Sequence, residues 1–126
     1  MAINETFGWI WVLGGMLSGL ALGLRFHEDA WLGGYASLPR RMVRLGHISF
    51  LGLGFTNILF ALSAPRIHLP PGLLLLAARA LLLGGITMPV SCALMAWRRG
   101  MIPVFAVPVV SLAGGAALVV AGFLRP

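Results

Sequence analysis

Few side chains in this sequence can do chemistry, and most of those that can fall inside apolar runs: His47, Asn57, Arg79, Met88, Cys92 and Ser111. Histidine and methionine are both axial ligands of heme iron, and facing helices can hold a cofactor between them, so His47 with Met88 is a candidate cofactor-binding pair. A lone histidine can equally ligate the magnesium of a chlorophyll-type pigment, or hydrogen-bond a neighbouring helix. These alternatives stay open, and the identity of any cofactor is unknown at this point. Arg79 is the most costly residue, because lipid gives a charge no partner. It can snorkel to the headgroups, or be met by Asn57 across a hairpin, by a carboxylate of another subunit, or by an anion. The run His27, Glu28, Asp29 is adjacent in sequence, and adjacent side chains diverge, so no metal site is expected there.

These residues need elements to position them, and apolar runs near 20 residues are long enough to cross a bilayer core as helices. Four such runs are expected, at Phe7–Leu24, Pro39–Ser63, Gly72–Trp97 and Met101–Leu124, giving an all-α, four-helix transmembrane bundle in one domain. Pro39, Pro65, Pro70 and Pro71 stand where loops and helix starts are needed. The second loop is centred near His68, so an antiparallel hairpin sets Asn57 level with Arg79 and His47 beside Met88 and Pro89. Extending the register gives a layer of Met16, Ser18, His47, Met88 and Ser111. Pro89 should free a backbone carbonyl, with Thr87 and Ser91 placed to satisfy it.

Composition agrees with a membrane origin: 60% of the 126 residues are hydrophobic and 10% charged, and the mean hydropathy is +0.98. All nine basic residues are arginines, against three acids. In a soluble chain this would suggest nucleic acid. Beside membrane spans, arginines set topology and meet anionic lipids instead, so no nucleic-acid partner is expected. Arg40, Arg41, Arg44, Arg98 and Arg99 fall in the first and third loops, which the positive-inside rule assigns to the cytoplasm, leaving both termini outside. They are candidate contacts to lipid headgroups or a partner. The start MAINETFGW has no basic region before its apolar run, so the first helix is expected to be retained. Gly15, Gly19 and Gly23 recur on one face of the first span, and Ser111 and Gly115 repeat the spacing in the fourth, as close helix packing requires.

Two families of similar length are set aside on residues. Small multidrug transporters carry a glutamate in the first span, whereas here no acid lies between Phe7 and Leu24. Gly14 to Arg25 loosely resembles dual-topology fluoride channels, but the threonine-phenylalanine-serine motif of their third span is replaced by GGITMPVSC. With no catalytic set and no extramembrane domain, the sequence points to a non-enzymatic accessory subunit of a larger assembly in the bacterial inner membrane. By analogy the host is a respiratory or photosynthetic electron-transfer complex. A heme- or pigment-binding electron-transfer protein using His47, and a small ion transporter or channel, are the alternatives.

Overall fold

In the computed structural model, which describes residues 1–98 and 100–125, four helices are long and apolar enough to cross a membrane. They are α1 (Ala2–Gly23), α2 (Leu38–Ser63), α3 (Pro71–Trp97) and α4 (Ala106–Phe123), with short 3₁₀ turns at Trp31–Gly33, Ala64–Arg66 and Ile102–Phe105 and no strand among the described residues. The helix starts are written locally. Ser37 caps α2 by accepting from the Arg40 N–H at 3.3 Å, with Pro39 in the first turn, and Pro71 opens α3. Gly33 and Gly34, at φ 85° and 91°, take the left-handed turns that lead into α2.

One boundary differs from expectation. α1 begins at Ala2, five residues before Phe7, and takes Asn4 and Glu5 into the helix. A buried asparagine inside a helix needs partners, and Asn4 finds them on α2 and α3, as described below.

Each helix packs on its neighbour in sequence: α2 lies between α1 and α3, and α4 rests chiefly on α3. Small residues permit the close approaches. A Cβ at Gly8 would lie 2.5 Å from Ile58 Cγ1 and 2.6 Å from the Gly54 carbonyl oxygen, so backbone meets backbone where α1 crosses α2. Gly15 faces Leu51 and Gly19 faces His47, whereas nothing lies within 4 Å of Gly23, which is exposed. The expected stripe therefore packs at Gly15 and Gly19 and runs out at Gly23, where α1 has left its neighbour. On the other side Gly84 receives Leu112, and Gly115 packs on Leu81 and Ala80. Ser111 lies on α4 but spends its hydroxyl on its own helix, on the Val107 carbonyl at 2.6 Å.

A buried apolar cluster of Phe60, Ile67, Ala77, Ala78 and Leu81 joins α2, the second loop and α3. That loop docks on the end of α4, where the His68 N–H donates to the Gly122 carbonyl at 3.1 Å. The chain's two ends consequently share one end of the molecule. Arg40, Arg41 and Arg44, expected in the first loop, lie on the opening turns of α2, and these share the other end with Arg98, which caps α3. Arg99 lies outside the described residues.

Candidate functional site

Near the termini, polar groups tie three helices together. Asn4 Nδ2 donates to Asn57 Oδ1 at 2.9 Å and to the Ala78 carbonyl at 3.0 Å, and both asparagines are fully buried. Asn57 Nδ2 donates in turn to Leu53 O at 2.9 Å and Leu81 O at 3.4 Å. The expected pair of Asn57 with Arg79 is therefore not formed. Arg79 occupies an exposed face of α3, and the amide that was to meet it is engaged by Asn4. Equal depth was a sound inference, since Asn57 does reach the α3 backbone near Arg79, but depth does not specify the side of a helix. The N-terminal Asn4, read as lying outside the first span, is the partner that sequence reasoning missed.

One turn further along, the structure shows how Pro89 is accommodated. Proline has no N–H for the carbonyl four residues earlier, which here belongs to Gly85. The Trp11 indole Nε1 of α1 donates to that carbonyl at 2.9 Å. The freed acceptor was legible from Pro89, but its donor comes from another helix. Thr87 and Ser91, expected to help, donate elsewhere, to Leu83 O at 2.7 Å and Val104 O at 3.4 Å. Trp11 also stacks between Phe7 and Phe50, with ring centroids 4.1 and 5.5 Å away.

Beyond Trp11, towards the arginine-rich end, α1 and α3 no longer meet. Between them, floored by α2, lies a cavity of about 510 Å³ whose wall is almost wholly apolar. Trp11 and Phe50 form its roof, Met42 and Val43 lie at its lower end, and His47 with Ser18 provides its polar wall. Ala21 on α1 and Ile86, Val90 and Ala93 on α3 line it and are exposed, so the mouth opens sideways between these helices.

Ser18 holds His47 through Nδ1. The Ser18 Oγ lies 3.0 Å from the Gly15 carbonyl oxygen and 3.0 Å from His47 Nδ1, and His47 Nε2 lies against α1, 3.3 Å from where a Cβ on Gly19 would stand. Among the described residues Nε2 has no hydrogen-bond partner. The buried polar side-chain atoms left unpaired are Asn4 Oδ1 and Arg40 Nε, so Nε2 is not sealed in.

Of the expected layer, only Ser18 and His47 come together. Met88 does not line the cavity. It stands one turn from Gly84, on the side of α3 that receives Leu112 of α4, whereas the cavity wall runs through Ile86, Pro89 and Ala93. His47 and Met88 are thus not placed as a facing ligand pair. Met16 is 63% exposed. Buried Cys92 also lines the cavity.

Arg40 also departs from expectation. Only 2% exposed, it donates to the carbonyls of Phe26, Glu28 and Asp29 at 3.2 to 3.4 Å and lies 5.4 to 5.7 Å from the rings of Phe26, Trp31 and Tyr35. It closes the first loop over the helix ends and is not available to headgroups. Arg41 and Arg98 are exposed, and Arg44 is half-buried against Tyr35, 4.6 Å from its ring. In the same loop His27 is exposed, and Glu28 pairs with Arg25 at 3.1 Å. Among the described residues no three His, Cys, Asp or Glu side chains converge.

Compared with protein-family models, with curated protein sequences and with solved structures, the chain matches none.

Proposed function

We propose that this chain is a multi-pass protein of the bacterial inner membrane that draws an apolar small molecule from the bilayer into the cavity between α1, α2 and α3. It is oriented with its arginine-rich end in the cytoplasm and both termini outside. The observation that carries this is the cavity itself. Its volume of about 510 Å³ lies within the roughly 300–1,000 Å³ of small-molecule sites, which combine apolar walls with a few placed polar groups. Its lateral mouth suits a ligand dissolved in lipid. The test is organic extraction of protein purified from native membranes. One apolar species should be recovered from the wild type and lost from Ala21→Trp, which fills the mouth, with helicity unchanged. Recovery of no species, or of the same species in equal amount from the blocked variant, would refute the proposal.

A second observation favours work as an accessory subunit of a larger assembly. Along α3 and α4 runs an open groove in which the small residues Ala80, Ser111, Gly114, Ala117 and Ala121 lie among Leu76, Val110 and Leu118. Small residues let another helix approach closely. Copurification of larger membrane proteins under mild detergent is expected, and its loss in Gly114→Leu. A single species of the chain's own mass from native membranes would remove this second role.

A further inference from the structure

We infer that a groove on the exposed face of α2, near its start, binds one phospholipid with an anionic headgroup, whose phosphate is held by Arg41 and Arg44. The groove faces away from the cavity, shares only Met42 with it, and stands independently of it. It has a volume of about 300 Å³ and is lined by Arg41, Met42, Arg44, Leu45 and Ile48. Positions 44, 45 and 48 follow Arg41 by three, four and seven, the spacing that puts side chains on one face of a helix. Ile48 therefore lies about 10.5 Å along the axis from Arg41, at 1.5 Å per residue. Charge is gathered at one end of the stripe and apolar surface at the other, where Leu45 is 44% and Ile48 59% exposed. A phospholipid presents its groups in that order, headgroup first and acyl chain below.

Nothing in the chain neutralises the charged end of the stripe. The first turn of α2 holds no acid. Glu28 is paired with Arg25 at 3.1 Å, and among the described residues neither Arg41 nor Arg44 has a carboxylate partner. Arg44 is steadied by the ring of Tyr35, 4.6 Å from its Cζ, and tyrosine rings sit at headgroup level. Guanidinium N–H groups match the oxygens of a phosphate, which they can bind two at a time. A zwitterionic headgroup would bring a cation of its own to these arginines, so the complementary headgroup is one with net negative charge. A helix of another protein fits less well. Close helix approach depends on small residues, which the groove between α3 and α4 has and this one lacks. A flexible acyl chain lies along Leu45 and Ile48 without that requirement.

The experiment is native mass spectrometry of the full chain released from micelles doped with equal amounts of phosphatidylglycerol and phosphatidylcholine. The wild type should retain one phosphatidylglycerol in preference to phosphatidylcholine. An arginine near a membrane surface contributes about a fivefold preference for anionic lipid, so Arg41→Gln should lower retention about fivefold, and Arg41→Gln with Arg44→Gln about 25-fold. Circular dichroism should show the helices unchanged. Arg98→Gln removes the same charge from the same end of the molecule without touching the groove, and should leave retention as it was. Millimolar inorganic phosphate, added before release, should not displace the lipid. Equal retention of the two lipids would overturn the site. A loss in Arg98→Gln as large as in Arg41→Gln would do so too, by showing diffuse attraction in place of a groove. Displacement by inorganic phosphate would leave the acyl chain no part and overturn the lipid. Unchanged phosphatidylglycerol in the double variant, with loss of a copurifying protein, would give the groove to a protein acid instead.

Discussion

The two ends of the α1–α2–α3 unit are built on opposite plans. Near the termini the helices touch through glycine and are laced by Asn4, Asn57 and Trp11, whose N–H groups bond an amide oxygen or backbone carbonyls, while Asn4 Oδ1 stays unpaired. Near the arginines the same helices diverge, leaving a half-buried histidine with a bare nitrogen beside a cavity. Pro89 stands at the division. It deprives Gly85 of a helical donor on one side, where Trp11 replaces it, and lines the cavity on the other. The contrast teaches that the laced end supplies the rigidity that lets the other remain open.

The largest effect should come from Gly8→Ala. Its Cβ would strike the Gly54 carbonyl, and backbone cannot step aside as a side-chain tip can. Overpacking of this kind costs about 1–3 kcal/mol, and detergent-unfolding curves should show it. A variant as stable as wild type would mean that the crossing is looser than drawn. Asn57→Leu comes next, expected to lose ~0.6–1.7 kcal/mol, the range of hydrogen bonds between membrane helices. A further Asn4→Leu should restore part of the loss. Arg79→Leu should restore none, because Arg79 is not in the pair.

Trp11→Phe should cost about 0.5–1.5 kcal/mol by orphaning the Gly85 carbonyl. In the background of Pro89→Ala, where residue 89 regains an N–H for that carbonyl, the same change should cost measurably less. Equal costs in both backgrounds would break the link between Trp11 and Pro89. Smallest is Gly23→Ala at the open end. With nothing within 4 Å, alanine's better helix propensity should leave stability unchanged or raise it by up to ~1 kcal/mol. A destabilisation there would show that the open end is covered by something.

The helices themselves were readable because bilayer thickness sets their length and proline marks their starts. The α2–α3 register was readable too, from a short loop: Gly46 sits beside Cys92, close to the level expected for His47 and Met88. What a one-dimensional pattern does not carry is azimuth. Depth put Met88 opposite His47 and Arg79 opposite Asn57, yet a residue or two of rotation sends each to another face. Arg40 failed for a different reason. Its partners are backbone carbonyls of a loop, and carbonyls have no residue identity to read. Asn4 fell outside the expected first span, because it stands beside Glu5 ahead of the apolar run that begins at Phe7. Only the buried amide of Asn57, contributed from 53 positions away, makes it part of the helix.

The bond from Trp11 to Gly85 has a consequence for how the chain is made. Its partners are 74 positions apart, so translation at about 5–20 residues per second delivers the acceptor roughly 4–15 s after the donor. During that interval the nascent first helix has α2 for company, and its indole lacks the carbonyl it will end on. The third helix completes three polar connections as it arrives, at Ala78, Leu81 and Gly85. Release of a stable hairpin should therefore wait on the insertion of α3, and ribosome-stalled chains ending before residue 85 should be the most readily degraded.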